Sequence, residues 1–223
     1  MNNGFFITGT DTEIGKTRFS VQLVQALRAR GEQVAVMKPV ASGARRIDGV
    51  LRNDDALALL AAAGNQQAYA TCNPFCFEPP IAPHVAAREA GVRIDLQRIE
   101  NLARDLSHQA DRLVVEGVGG WRVPLDGSAD VATLAGRLQL PVILVVGLRL
   151  GCINHALLTA EAIRADGLNL IGWVANHIDP AASRVLEMIE AIDARIGVPR
   201  LVDMTHDGED IDVETLLRKC GSG

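Results

Sequence analysis

The 223-residue sequence has few aromatic residues, few cysteines and no long uninterrupted run of apolar residues. Aromatic residues make up 4% of the chain although 48% of its residues are apolar, so small aliphatic side chains must build the core. This composition favours a parallel sheet that is covered by helices. No apolar run approaches the roughly 18 residues of a transmembrane helix, so we predict none.

The four cysteines, Cys72, Cys76, Cys152 and Cys220, are scattered along the chain and form no compact disulfide framework. We therefore expect reduced thiols, and the absence of a second Cys or His pair near Cys72 and Cys76 argues against zinc. The net charge of −5 gives no reason to expect a nucleic-acid partner. The N-terminus leads directly into a predicted strand without the features of a secretion signal, so we expect a cytoplasmic protein.

Apolar strand-like runs alternate with amphipathic helical patterns along the chain. The sequence predicts strands near 5–7, 34–37, 113–117, 141–147 and 168–175, and helices near 17–30, 54–63, 82–90, 95–110, 130–138, 153–165 and 181–195. Residues 40–53 and 69–83 are predicted to be irregular, and the tail from about 197 is weakly patterned. No linker interrupts the alternation. We therefore predict one doubly wound α/β domain over 1–223, with a mostly parallel sheet and helices on both faces.

The segment from Gly9 to Thr17 joins the first predicted strand to the first predicted helix. A glycine-bearing loop at a helix N-terminus directs backbone N–H groups at one small volume, which suits a phosphate. In a P-loop, a lysine contacts the β- and γ-phosphates and the next hydroxyl ligates Mg²⁺, roles that fall here to Lys16 and Thr17. The usual loop has four residues between its glycines and this one has five. A tight turn with a surface lysine is the alternative, but the order of strand, loop and helix favours nucleotide binding in a P-loop NTPase fold.

Three further charged residues follow predicted strands or open a helix. Glu116 ends a hydrophobic strand, where an acidic residue binds Mg²⁺ in related sites, although a solvated strand end is the alternative. Asp55 opens a helix, and its position alone favours an N-cap over a metal ligand. Lys38 follows a buried strand and would stabilise charge on a transferring phosphoryl group, or would be a plain surface lysine. Ser42 is close enough in sequence to donate to the same ligand.

The turn from Gly151 to Asn154 begins a predicted helix, and its free N–H groups suit a carboxylate. His84 and His155 are isolated in sequence from any partnering carboxylate. We therefore assign structural roles to both histidines, and no histidine is predicted to be a general base.

Together these segments resemble the dethiobiotin synthetases of biotin biosynthesis. Seven segments carry the resemblance, in the same order, between residue 4 and about residue 180. They are residues 8–17, 38–43, 51–57, 115–121, 140–147, 151–156 and 172–176. The resemblance implies an ATP- and Mg²⁺-dependent cyclo-ligase that acts on 7,8-diaminopelargonate and CO₂. In that reaction a carbamate attacks ATP, and the second amine attacks the carbamic-phosphoric anhydride to give dethiobiotin, ADP and phosphate.

The resemblance also assigns roles to individual residues. Lys16 and Lys38 are the catalytic residues, and the metal ligands are Thr17, Asp55 and Glu116. The implied nucleotide-binding residues are Glu13, Ile14, Gly15, Lys16, Thr17, Arg18, Asp55, Glu116, Gly117, Gly119, Asn176 and His177, with Asn176 at the adenine. The implied substrate-binding residues are Thr12, Ser42, Gly151, Cys152, Ile153 and Asn154. The last four belong to a turn that receives the substrate carboxylate of the other subunit in a homodimer.

The tail departs from the family pattern. Where the family has a Pro-x-Leu element that helps to hold adenine, this chain has Val202-Asp203-Met204-Thr205-His206-Asp207, followed by Glu209-Asp210. This departure predicts a less selective grip on the base or a different fold of the segment. The alternative function is a P-loop nucleotide switch or partitioning ATPase. That group carries an extra lysine five residues before the main one, and Asp11 at this position counts against it.

Overall fold

The structure is a computed structural model that describes residues 3–64, 66–205, 211 and 213–219. Its strands are β1 (Gly4–Gly9), β2 (Val34–Met37), β3 (Val40–Ala41), β4 (Arg45–Ile47), β5 (Val50–Arg52), β6 (Phe75–Cys76), β7 (Arg112–Glu116), β8 (Val142–Gly147), β9 (Leu170–Asn176) and β10 (Arg200–Met204). Its helices are α1 (Lys16–Ala29), α2 (Asp54–Ala62), α3 (Tyr69–Cys72), α4 (Pro83–Glu89), α5 (Leu96–Gln109), α6 (Val131–Leu138), α7 (Cys152–Ala165), α8 (Val185–Ile196) and α9 (Val213–Lys219).

Six strands form one parallel sheet in the order β10-β9-β8-β1-β7-β2. The chain leaves β1 for the β2 edge, returns to β7 beside β1, and then proceeds through β8, β9 and β10 toward the other edge. This reversal beside β1 is the topological switch point at which open α/β sheets bind ligands. The predicted doubly wound parallel sheet is confirmed.

Strand β1 shows how the sequence builds a core on each face of the sheet. Its side chains alternate, as the period of a strand requires. Phe5 and Ile7 pack with Phe19 of α1 in one buried cluster, whereas Phe6 belongs to the cluster on the opposite face. There, Phe6 makes an edge contact with Trp121, with 6.3 Å between the ring centroids. Helices on both faces cover the strands, and the strand ends are left open to form a site.

Several predicted elements differ from the structure. The predicted loop over 40–53 contains β3 and the antiparallel pair β4–β5, and the irregular stretch 69–83 contains α3 and β6. These elements have two to four residues, too few to show a period in sequence. The weak tail supplies β10, the sixth strand of the sheet. Residues 206–210 of the atypical tail, and Cys220, lie outside the described residues.

The N-terminus of α2 differs from the prediction by one residue. Asn53, and neither Asp54 nor Asp55, is the N-cap, and its side chain accepts a hydrogen bond from the N–H of Ala56. Asp55 is therefore free of the capping role that the sequence left open. Among the described helices, none is long and apolar enough to cross a membrane.

Candidate functional site

A cleft of about 880 Å³ opens at the carboxyl ends of the central strands. The loop after β1, the end of β2, the start of α2 and the loop after β7 supply its walls. Its lining includes the predicted site residues Thr12, Glu13, Gly15, Lys16, Thr17, Lys38, Ser42, Asp55, Glu116 and Gly119. Residues that lie far apart in sequence thus converge on one volume, as expected where parallel strands end at a switch point.

The loop after β1 folds back over the lysine that ends it. The ammonium of Lys16 donates to the carbonyl oxygen of Asp11 at 2.6 Å, and the residue is only 6% exposed. Burial and the nearby charge of Lys38 lower the pKa of Lys16 from 10.5 to about 8. Lys16 is therefore still mainly charged at pH 7, in a place where an added anion would be strongly favoured.

Gly15 is the N-cap of α1 and has a left-handed backbone, with φ of 88°. A Cβ at this position would lie 2.0 Å from Nδ2 of Asn176, which itself donates to the carbonyl oxygen of Ile14 at 2.8 Å. The close approach of β9 to the loop therefore requires glycine. The amide of Asn176 is thus hydrogen-bonded to the loop. Its predicted contact with adenine stays a prediction.

Gly15→Ala is expected to lower the free energy of unfolding by roughly 2–4 kcal/mol, because it adds a clash to left-handed strain. Gly49→Ala is the matched control. Gly49 has φ of 79° and nothing within 4 Å of an added Cβ, so it should lose only about 1 kcal/mol. Chemical denaturation of both variants measures the difference. Equal losses would show that Asn176 moves aside without cost.

The centre of the cleft is a charge cluster around Lys38. The Lys38 ammonium lies 2.6 Å from Oε1 of Glu116 and 2.9 Å from Oδ2 of Asp55, and it also donates to the carbonyl oxygen of Gly117 at 3.3 Å. Thr17 donates its hydroxyl to the same Oε1 of Glu116 at 2.8 Å. The structure therefore brings Lys38, Asp55 and Glu116 together in one cluster.

Burial and neighbouring charges act in opposite directions on the pKa values of Lys38 and Asp55. Burial acts to lower the pKa of Lys38, but the carboxylates of Glu116 and Asp55 outweigh it and raise that pKa above 10.5. Burial likewise acts to raise the pKa of Asp55, but the Lys38 ammonium outweighs it and the pKa falls below 3.8. The side chains of Lys38 and Glu116 are 4% and 0% exposed, so the pair is held in a largely dry environment.

The oxygen donors of the cluster fit a small, hard cation. Oε2 of Glu116 is buried and has no hydrogen-bond partner among the described residues. Together with an Asp55 oxygen and the Thr17 hydroxyl it offers the carboxylate and hydroxyl ligands that Mg²⁺ accepts while keeping several waters. Among the described residues, no group of three or more His, Cys, Asp and Glu side chains is arranged so that it could hold a metal ion.

Other predicted residues occupy varied positions. Arg18 donates to the amide oxygen of Asn176 at 3.5 Å and to the carbonyl oxygen of Thr205. The ring of His177 lies 2.6 Å from Oδ1 of Asp203, so a protein carboxylate already partners it. Ser42 has a buried hydroxyl without a partner among the described residues, and it faces the cleft. Of these residues, Ser42 is the one that is prepared for an added ligand.

The turn from Gly151 to Asn154 lies outside the described lining of this cleft. Cys152 is buried, and its sulfur lies 3.8 Å from that of Met188, so its thiol packs into the core. The structure therefore does not bring this turn to the Lys38 cluster of the same chain.

Sequence reasoning missed three polar residues, Asn53 in the lining of the cleft and Tyr69 and Asn73 next to it. Asn53 carried a readable signal, because an Asn directly before an acidic pair and a helix is an N-cap pattern. Tyr69 and Asn73 carried no such signal. The bonds that join Asn73 to Lys38 and Tyr69 to Asn53 connect residues distant in sequence, and the fold alone brings these together.

Comparison with known proteins gives close relatives in sequence. A family model described as an AAA domain matches residues 3–206. The chain is 54% identical over 195 residues to the "ATP-dependent dethiobiotin synthetase BioD" of Xanthomonas oryzae pv. oryzae, covering 87% of each chain. It is 54% identical over 206 residues to the protein of the same name from Pseudomonas paraeruginosa, covering 89% of this chain and 90% of that one.

Solved structures are similar in fold at low sequence identity. A ParA family ATPase from Chlorobium tepidum is 15% identical with a TM-score of 0.58, and the match covers 99% of this chain and 91% of that one. The septum site-determining protein MinD from Pyrococcus horikoshii is 16% identical with a TM-score of 0.58, over 98% and 86% of the two chains. At such identities the likeness supports the P-loop fold alone.

Proposed function

The chain belongs to the ATP-dependent dethiobiotin synthetases, and we propose that the cleft around Lys38 is its active site. The enzyme is an ATP- and Mg²⁺-dependent ligase that closes the ureido ring of dethiobiotin on 7,8-diaminopelargonate and CO₂. The observation that supports the location is the convergence of Lys16, Lys38, Thr17 and two carboxylates beside the phosphate-binding loop.

The reaction asks the protein for positioning and charge stabilisation. One amine of the substrate adds to CO₂ and loses a proton, and a carbamate oxygen attacks the γ-phosphate while ADP leaves. The second amine then attacks the carbamate carbon, loses a proton, and expels phosphate as the ring closes. Since no protein nucleophile is needed, catalysis rests on holding the reactants and stabilising developing negative charge.

Two lysines divide this electrostatic work in our proposal. Lys16, in the loop, binds the β- and γ-phosphates, because it ends the turn that wraps them. Lys38, which directly follows β2, stabilises the phosphoryl group as it moves to the carbamate. Thr12 and Ser42, which line the same cleft, contact the carbamate or the diamine. The hydroxyl of Ser42, which is buried and has no hydrogen-bond partner in the described part of the chain, supports that role.

Thr17, Asp55 and Glu116 are the proposed metal ligands. A Mg²⁺ ion held by these residues would neutralise negative charge on the phosphates of ATP. Lys38 holds the carboxylates of Asp55 and Glu116 in place by ion pairs. The remaining nucleotide-binding roles, including those of Gly117, Gly119, Asn176 and His177, are proposed by family resemblance.

Asp55→Asn is expected to raise the Mg²⁺ concentration for half-maximal activity by about tenfold or more, because it removes a charged metal ligand. Asp54→Asn is the matched control. Asp54 is the adjacent residue, its side chain is 72% exposed, and it pairs with Arg45 away from the cleft, so its Mg²⁺ requirement should change less than about twofold. Initial rates over a Mg²⁺ series at saturating ATP provide the measurement. A similar requirement in both variants would remove Asp55 from the metal site.

We also propose a homodimer with shared active sites. The family turn from Gly151 to Asn154 lies outside the described lining of its own cleft, so the turn would serve a neighbouring subunit. Beside it, Leu150 is 94% exposed and Leu158 of α7 is 55% exposed, and a subunit packed on this turn would cover apolar side chains of this kind.

Subunit mixing tests the shared site. Lys16→Ala disables the phosphate loop, and Gly151→Val distorts a turn whose φ is 95°, so each variant alone should be nearly inactive. In a two-fold dimer, the co-expressed heterodimer restores one intact site of two, so it should regain about half of the wild-type activity. A heterodimer that stays inactive, although each variant folds, would contradict sharing.

We propose one domain over 1–223 and a cytoplasmic location. Strands β1, β2, β7, β8, β9 and β10, which are spread over the chain from residue 4 to residue 204, form one sheet, and this supports a single domain. Cys72, Cys76 and Cys152 are free thiols, which suits a reducing compartment where ATP is available.

A further inference from the structure

Strand β2 lies at the edge of the sheet, and side chains cover its open side. Gln67 binds Val36 at both backbone groups, accepting from its N–H at 2.9 Å and donating to its carbonyl oxygen at 2.7 Å. Two residues further on, the N–H of Lys38 donates to the carbonyl oxygen of Cys72 at 2.8 Å, and Asn73 donates to the Lys38 carbonyl oxygen at 2.6 Å. The strand edge is therefore fixed at two successive outward-facing positions.

Of the two amide side chains that hold this edge, Asn73 forms hydrogen bonds to more residues than Gln67 does. It is 4% exposed, and besides Lys38 it donates to the carbonyl oxygen of Phe75 at 3.4 Å. Its amide oxygen accepts from the hydroxyl of Tyr69 at 2.8 Å. Both the nitrogen and the oxygen of this amide are therefore hydrogen-bonded, as a buried amide requires.

The hydroxyl of Tyr69 continues the connection to α2. It accepts from the backbone N–H of Asn53 at 2.7 Å, and it also lies 3.6 Å from the sulfur of Cys76. Arg52 stacks on the Tyr69 ring at 4.2 Å from its centroid, which restrains the ring. Asn53 is the N-cap of α2, and Asp55 follows it by two residues.

These bonds close a loop around the charge cluster. On one side, the side chains of Asn73 and Tyr69 link the backbone of Lys38 to the backbone at the N-cap of α2. Through the side chains, the Lys38 ammonium meets Asp55 of that same turn at 2.9 Å. A shift of either backbone anchor would therefore change the separation of Lys38 and Asp55, and catalysis by positioned charges is sensitive to displacements of about 1 Å.

We propose that Tyr69 and Asn73 are positioning residues for ring closure, which set Lys38 against Asp55 through the end of β2 and the N-cap of α2. The proposal rests on the function proposed above, and it assigns these residues no contact with substrate. Gln67 supplies an internal comparison, because it fixes the same strand edge and, within the described ranges, forms no side-chain hydrogen bond to α2 or to the charge cluster.

The test compares Asn73→Ala, Tyr69→Phe and Gln67→Ala with the wild type. We expect Asn73→Ala to lower kcat by about 10- to 100-fold and Tyr69→Phe by about 3- to 10-fold, since each misplaces Lys38 or Asp55. The affinity for a non-hydrolysable ATP analogue, measured by calorimetry, should stay within about threefold, because the phosphate loop is untouched. Gln67→Ala should keep kcat within about twofold while its melting temperature falls as far as that of Asn73→Ala.

Two results would overturn the proposal. One is a kcat of Asn73→Ala, or of Tyr69→Phe if the first variant does not fold, that stays within twofold of the wild type. The other is a kcat of Gln67→Ala that falls as far as that of the site variants, which would reduce all of these bonds to general support of β2. A wild-type enzyme without diamine-dependent phosphate release would instead refute the proposed function.

Discussion

Lys38→Met is expected to lower kcat for dethiobiotin formation by about 100- to 1,000-fold, while the affinity for ATP changes by less than about threefold. The reason is that the Lys38 charge acts where negative charge develops during phosphoryl transfer, and the phosphates of bound ATP are already held by the loop around Lys16. Stopped or steady-state assays of product give kcat, and calorimetry with a non-hydrolysable analogue gives the affinity.

A second variant separates charge from folding. Lys38 pairs with Glu116, which is 0% exposed, so Lys38→Met also leaves a buried carboxylate without its cation and costs about 3–5 kcal/mol of stability. Lys38→Gln keeps an N–H that can donate to Glu116 and should lose less stability. Both variants should lose the same orders of magnitude in kcat. If Lys38→Gln retained near-normal turnover, or if ATP affinity fell in parallel with kcat, the catalytic role of Lys38 would be wrong.

Lys16→Ala is expected to weaken the binding of ATP and also to lower turnover. It removes a charged donor from the loop that wraps the phosphates, and a hydrogen bond to a charged group is worth about 1.5–3 kcal/mol, so ATP affinity should fall by roughly 10- to 150-fold. Turnover should fall as well, because the same ammonium faces the γ-phosphate during transfer. Parallel calorimetry and product assays measure the two losses.

The contrast between the two lysines is the informative result. Lys16 is held by the Asp11 carbonyl oxygen within the loop, whereas Lys38 is held by carboxylates across the cleft. Normal ATP affinity in Lys16→Ala would mean that the backbone N–H groups bind the phosphates unaided, and the division of roles between the lysines would then be wrong.

Much of the fold was predictable because its signals are local. The glycine loop between β1 and α1, the apolar run of β8 and the acidic end of β7 all lie within a few residues of the features that identify them. The rule that ligands bind at the carboxyl ends of parallel strands then placed Lys16 and Glu116 at one edge.

What could not be predicted depends on contacts between distant segments. The strand pair β4–β5 and the short strand β3 have too few residues for a period, and neighbouring segments determine them. The geometry of the charge cluster could not be predicted for the same reason. Sequence placed Lys38 at the end of a strand, and only the family resemblance assigned Asp55 to the metal site. Their 2.9 Å ion pair depends on where α2 packs, which Tyr69 and Asn73 help to set.

The likeness to partitioning ATPases is confined to the fold, and one side chain illustrates the difference. At the position where nucleotide switches carry an additional lysine, this chain has Asp11. Its Oδ2 lies 2.6 Å from Arg149, so a carboxylate is fixed at the start of the loop. This arrangement favours the ligase over a switch whose output is a dimer state.

The most direct test of the account is phosphate release from Mg-ATP and bicarbonate, measured with and without 7,8-diaminopelargonate while dethiobiotin is followed by mass. We expect release that requires the diamine and matches dethiobiotin one to one. Repeating the assay with other nucleotides tests how selectively the base is held. Phosphate release that is indifferent to the diamine, with no dethiobiotin formed, would contradict the account and favour a nucleotide switch.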